Sequence, residues 1–180
     1  MLKKILIYNS GGGLGDAIQL FPLILSLKNH FKSTDFYYLG AHENHFLNKL
    51  KDFNVNIKTL DLSLKYFGFR WWHLFKARSK FFELNLEKFD LIIDLQSKLR
   101  NTLILKRIPS VNFYSSTFNY NFCSLKKDYL SNNNISQKTI LNLGKLLDVN
   151  IKKVDFSLDN LNQIYINEAK KLLPGNSYIG

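Results

Sequence analysis

The chain has 180 residues, 46% hydrophobic and 22% charged, which fits one globular domain or one domain with a short extension into a second. Abundant Ile, Leu, Val and Phe exclude disorder over the whole length, the single Cys123 excludes an internal disulfide framework, and no apolar run reaches the roughly 20 residues that span a bilayer. The formal net charge of +11 permits an anionic partner, but Lys outnumbers Arg and Asn is frequent, as an AT-rich coding sequence produces, so charge alone identifies none.

Lys3–Asn9 reads as a strand buried on both faces, and the apolar run after Met1-Leu2-Lys3-Lys4 is too short for a signal peptide, so a cytoplasmic protein is expected. Asp16–Phe31 has helical spacing through Ile18, Phe21 and Leu25, and Pro22 requires the helix either to begin near Phe21 or to kink there. Asp35–Gly40 is a second strand, Ala41–Lys51 a helix, and Val55–Leu60 a third strand. Trp71–Glu87 is helical, with Trp72, Phe75, Phe82 and Leu86 as its expected buried stripe. Asp90–Leu95 is a short apolar strand, Leu99–Lys106 a helix and Ser110–Tyr114 a fifth strand. Ser115–Asn134 is polar and weakly periodic, and reads as a long loop. Gln137–Leu147 and Leu161–Leu173 are helices that bracket a short strand at Lys153–Leu158. Pro174-Gly175-Asn176 is a turn, and Ser177–Gly180 looks like the opening of a further strand. The alternation predicts an α/β fold: a Rossmann-like parallel sheet with helices on both faces, because parallel strands need crossover helices. Residues 1–175 form that domain, and 176–180 are expected to begin a second one.

The most informative stretch is Ile5-Leu6-Ile7-Tyr8-Asn9-Ser10-Gly11-Gly12-Gly13-Leu14-Gly15-Asp16, in which a strand meets four glycines and a carboxylate stands at the mouth of a helix. Such a loop leaves the backbone bare to a ligand at the carboxyl end of a strand, where open α/β sheets bind substrates. It is not a dinucleotide fingerprint: Asp16 occupies the third glycine position, where its charge would repel a pyrophosphate, and no Gly-Lys-Ser/Thr follows. Asp16 at N-cap with Gln19 at N3 also reads as a capping-box-like pair. The two roles are compatible, since the partial positive charge of a helix N-terminus attracts a carboxylate that can also accept a proton from a sugar hydroxyl. His42-Glu43-Asn44-His45 is one residue short of a metalloprotease motif and reads as a surface helix, and His30 and His73 are isolated.

Lys65 to Lys80 mixes basic and aromatic residues densely. It suits a phosphorylated glycolipid, a membrane interface or single-stranded nucleic acid, or else a helix with core aromatics and solvated cations. Asp94-Leu95-Gln96-Ser97-Lys98-Leu99-Arg100 follows the fourth strand, which puts Gln96 and Arg100 at the same sheet edge as Asp16, with Asp94 a candidate helix cap.

With both segments in place, the chain resembles glycosyltransferase family 9, the ADP-heptose:lipopolysaccharide heptosyltransferases. The matching residues are Ile5–Tyr8 leading into Gly12-Gly13-Leu14-Gly15-Asp16-Ala17-Ile18-Gln19 with Pro22 and Leu27-Lys28, then Phe89–Gln96 with Leu99-Arg100. The resemblance covers the family's N-terminal, acceptor-binding half and implies a GT-B fold with the active site between two Rossmann-like domains. It implies Asp16 as the base in an inverting, metal-independent transfer from a nucleotide sugar such as ADP-heptose to a lipopolysaccharide core or similar glycan. It further implies acceptor contacts at Gly12, Gly13, Leu14, Gly15, Gln19 and Gln96, and on charge alone Lys65, Arg70 and Arg100 are expected to meet the acceptor's anionic groups. Expected partners are a lipid-linked or glycan acceptor and a nucleotide sugar, with peripheral membrane contact at the inner face of the cytoplasmic membrane and no cofactor or nucleic acid. The family often has a glycine after the fifth strand, where this chain has Asn112-Phe113-Tyr114. The competing expectations are a non-catalytic acceptor-binding module of the same fold and a basic nucleic-acid-binding protein.

Overall fold

The computed structural model describes residues 2–10, 14–41, 44, 46, 55–131, 134–154 and 163–172. In chain order the elements are β1 (Lys4–Tyr8), α1 (Leu14–Gln19), α2 (Phe21–His30), β2 (Asp35–Leu39), β3 (Ile57–Thr59), α3 (His73–Glu83), β4 (Phe89–Asp94), α4 (Leu99–Leu105), β5 (Ser110–Ser115), α5 (Ile135–Leu147) and α6 (Gln163–Leu172). The five strands form one sheet in the order β3-β2-β1-β4-β5, and every pairing is parallel.

Alternation of side chains along the strands divides the core into two layers. Ile5, Ile7, Leu91 and Ile93 pack on one face with α2 and α5 residues such as Leu23, Leu27, Ile140 and Leu143. Leu6, Tyr8 and Ile92 pack on the other with Ala77 and Phe81 of α3 and Ile104 and Leu105 of α4. The fold is thus the Rossmann-like three-layer α/β arrangement. β1 is the hinge of the topology: the chain moves outward through β2 and β3, then returns to add β4 and β5 on the other side of β1. Connections at the carboxyl ends of β1 and β4 therefore leave in opposite directions and open a crevice between them.

Pro22 interrupts the first helical stretch. α1 stops at Gln19, and α2 starts at Phe21 with the proline in its first two positions, where a missing N–H costs nothing. The break leaves Ile18 exposed rather than in the core stripe. Asp16 falls inside the first turn of α1 rather than at the N-cap position expected from the sequence.

The expected stripe of α3 is not the buried one. Trp72, Phe75 and Phe82 are 49%, 76% and 52% exposed, while His73, Ala77 and Phe81 are buried, and Leu86 packs only partly against the second core layer. Spacing of four residues puts His73, Ala77 and Phe81 on one line, and the small Ala77 lets the helix lie close on the sheet. The helix ends at Glu83, with Asn85 at φ 50° behind it.

Between Ser115 and Asn134 the described residues contain no helix or strand, as expected of a loop, yet the segment is firmly held. Asn142 of α5 donates to the Leu130 carbonyl at 3.0 Å and to Tyr120 Oη at 3.1 Å, and its Oδ1 accepts from the Leu130 amide at 2.7 Å. Most of the expected helix at Ala41–Lys51 lies outside the described residues, as do the turn at 174–176 and the opening strand at 177–180. Of the expected strand at Lys153–Leu158, only residues 153–154 are described, and they are not in a strand. No helix among the described residues is long and apolar enough to cross a membrane.

Candidate functional site

Tyr8 pairs with Asp94 across the β1–β4 seam, so Asn9 and Leu95 leave the sheet side by side. There a pocket of about 240 Å³ is lined by Asn9, Asp16, Gln19, Leu20, Leu95, Gln96 and Ile135. The register explains the meeting: two strands that end level at a topological switch point bring their following residues to one crevice. Asn9 is held by its carbonyl, which accepts from Tyr38 Oη at 2.8 Å, and by its amide, which donates to the Leu39 carbonyl at 3.2 Å. Its side-chain oxygen accepts from Gln96 Nε2, which ties the two loops together. Ser136 at the start of α5 donates to the Gln19 carbonyl at 2.5 Å and fixes the end of α1 beside Ile135.

Asp16, Gln19 and Gln96, singled out in the sequence, therefore share one pocket, and the exposed Asp16 carboxylate is open to a ligand there. A methyl group at Gly15 would meet nothing within 4 Å, so no described neighbour requires the glycine. Gly12 and Gly13 lie outside the described residues, as does the Leu14 side chain, although Leu14 opens α1. Among the described residues no three His, Cys, Asp or Glu side chains are grouped to hold a metal ion, and His42, Glu43 and His45 fall outside them.

Beneath Gln96 sits Asp94, which does not cap α4 but anchors the loop from within. It is 1% exposed, and its Oδ1 accepts from the Gln96 amide at 3.0 Å. Its Oδ2 accepts from Thr102 Oγ1 at 2.5 Å and Ser115 Oγ at 2.8 Å, and Thr117 Oγ1 lies 2.7 Å and 2.9 Å from those hydroxyls. Burial pushes the Asp94 carboxyl above its ordinary range, against the opposing pull of these hydrogen bonds. The folded protein thus holds this proton more tightly than the unfolded chain, so stability rises as pH falls from above the folded value toward the ordinary carboxylate range. Asp94→Ala is expected to cost about 3 kcal/mol, because it opens a cavity and strips acceptors from buried hydroxyls. Asp94→Asn, which keeps volume and one acceptor, should cost about 1 kcal/mol and lose that pH dependence, as urea unfolding at several pH values would show.

The expected basic contacts take a different place. Arg100 Nε donates to the Gly68 carbonyl at 2.7 Å, and its guanidinium lies 5.8 Å from the Phe69 ring. Lys65 and Arg70 are exposed, and Arg70 lies 4.7 Å over the Trp72 ring in a second concavity of about 630 Å³ formed with Tyr66, Phe69 and Trp71. Neither Lys65, Arg70 nor Arg100 lines the Asp16 pocket. Charge type suggested these residues, but the β3–α3 connection carries Lys65 and Arg70 onto another surface.

Gly68 is the clasp of that connection. Its amide donates to His73 Nδ1 at 3.2 Å, and Tyr8 Oη donates to the neighbouring Phe67 carbonyl at 3.2 Å. His73 is isolated in the sequence, and its tie to Gly68 depends on a turn that spacing does not reveal. Burial, then the nearby Arg70, Arg100 and Lys76 cations, hold the His73 imidazole below its usual pKa. A depressed histidine contributes stability that is present above the unfolded value of about 6.5 and lost as pH falls through the folded value. Chemical unfolding should therefore show a loss on acidification that is smaller in His73→Gln.

No family model matches the chain, and no curated protein matches its sequence. Solved structures do match its fold. The E. coli heptosyltransferase WaaC with ADP is 14% identical with a TM-score of 0.57, over 84% of this chain and 50% of that one. A glycosyl transferase family 9 protein from Veillonella parvula DSM 2008 is 16% identical with a TM-score of 0.57, over 96% of this chain and 49% of that one. The chain spans about half the length of these structures, and over that span it has the Rossmann-like α/β fold of glycosyltransferase family 9 heptosyltransferases.

Proposed function

We propose that this chain is the acceptor-binding, N-terminal half of an inverting glycosyltransferase of the heptosyltransferase type. The observation that carries the reading is the meeting of Asp16, Gln19 and Gln96 in one pocket at the β1–β4 switch point. The donor is a nucleotide sugar such as ADP-heptose, a reading supported by the ADP named for the E. coli neighbour. The acceptor is a lipopolysaccharide core or similar glycan, met at the cytoplasmic face of the inner membrane.

In the proposed reaction an acceptor hydroxyl enters the pocket against Asp16. Its oxygen attacks the donor's anomeric carbon from the face opposite the leaving group. The bond from that carbon to the phosphate oxygen breaks, the nucleoside diphosphate departs with the electron pair, and the anomeric configuration inverts. Asp16 takes the hydroxyl proton as the new bond forms. Gln19 and Gln96, with amide groups that both donate and accept, orient neighbouring hydroxyls. Gly15 leaves open space at the start of α1, where a saccharide can approach main chain. No step requires a metal ion.

The reaction also needs a nucleotide-sugar-binding half, so the test uses protein that carries both halves. Nucleoside diphosphate release should require donor and core-saccharide acceptor together. Release that is absent, or that ignores the acceptor, would reject the reading.

A further inference from the structure

α3 carries a second organised face that the fold does not use. Its inner line of His73, Ala77 and Phe81 is buried, while Trp72, Phe75 and Phe82 run along the opposite, solvent side. Large exposed apolar residues are ordinary when scattered, but a stripe of them on one helix face marks an interaction surface. Helical spacing puts Lys76 and Lys80 on one flank of this stripe and Arg78 on the other. Arg70 lies over the Trp72 ring at 4.7 Å and Arg78 near the Phe82 ring at 5.6 Å, so charge and ring are held side by side. Between Asp61 and Glu83 the sequence contains no acidic residue, and Lys80 is engaged by Glu83 at 2.6 Å.

We propose that the outer face of α3, with Trp71 and Trp72 at its head, docks on the surface of an anionic phospholipid bilayer. Amphipathic ring systems settle at the headgroup level, and flanking Lys and Arg are drawn by anionic lipid. The occupant is argued from that complementarity: cations flank the ring stripe of α3 on both sides, and the concavity at its head is confined to Tyr66, Phe69, Arg70, Trp71 and Trp72, whereas a single-strand nucleic-acid site needs a groove that tracks the backbone. The docked face adjoins the reaction edge of the sheet, because Tyr8 at the end of β1 and Arg100 of α4 hold Phe67 and Gly68. Proximity to a lipid-borne acceptor rests on the proposed function, but docking itself does not.

Trp71 and Trp72 are the chain's two tryptophans, so intrinsic fluorescence reads this face directly. Vesicles of phosphatidylcholine with phosphatidylglycerol should shift the emission to the blue, and lipids brominated in the upper acyl chain should quench it. Phosphatidylcholine vesicles should bind about tenfold more weakly or not at all. The double variant F75S/F82S alters exposed side chains only and should bind the anionic vesicles about tenfold more weakly while its circular dichroism stays unchanged. An emission spectrum unmoved by anionic vesicles, or equal binding by the variant, would overturn the proposal. So would a response to single-stranded RNA or to rising protein concentration with none to vesicles. The readout is lipid binding without turnover, so its failure leaves the transfer reaction untouched.

Discussion

Asp16→Asn in protein carrying both halves is expected to lower sugar transfer about a thousandfold, with acceptor affinity nearly unchanged. Asn keeps the size and polarity of the side chain but cannot take up the hydroxyl proton. Because Asp16 is exposed, the variant loses no buried contact. Loss of a first-turn carboxylate costs about 0.5 kcal/mol through the helix dipole, too little to unfold a domain. The effect should therefore appear in kcat rather than in KM or in the unfolding midpoint, and steady-state kinetics beside urea unfolding separates the three. Turnover close to that of the parent would remove Asp16 from the chemistry.

Gly68→Ala should cause the largest stability loss, about 4 kcal/mol. Gly68 has φ 87°, a region that costs an L-residue about 1–2 kcal/mol. An added methyl would stand 2.1 Å from Tyr8 Oη and 3.1 Å from Asn101 Oδ1. Tyr8 is fully buried beneath the β3–α3 connection and cannot swing away, so the loop must move. Movement breaks the Tyr8–Phe67 and Gly68–His73 hydrogen bonds, each worth about 1 kcal/mol, together with the Arg100 contact. Gly15→Ala is the internal control: it adds a methyl to α1 in open space and should be neutral or stabilise by up to about 1 kcal/mol. Urea unfolding of the pair would test the argument, and equal midpoints would contradict it.

The five strands were legible because a parallel sheet covered on both faces leaves short, nearly continuous apolar runs such as Ile5–Tyr8 and Leu91–Ile93. The convergence of Asp16 with Gln96 followed from the same logic, since each succeeds a strand at one edge. The Asn9–Gln96 bond and the Asp94 network were not legible, because they depend on the register that sets Tyr8 opposite Asp94. For α3, periodicity gave the helix but not its inner side. Trp72, Phe75 and Phe82 also share one helix face, and hydrophobicity favoured them over His73, Ala77 and Phe81, which form the buried line. Lys65, Arg70 and Arg100 show a related limit, as charge suggests a kind of ligand without giving the side chain an address.

The proposed function requires an acceptor saccharide to bind between the loops after β1 and β4. Amide-resolved NMR titration of this chain with a deacylated, phosphorylated core oligosaccharide tests it without a donor. Saturable shifts should centre on Asn9, Asp16, Gln19 and Gln96. No shifts at saturating ligand, or shifts confined to the separate concavity beside Leu141, Lys145 and Asn150, would contradict the account.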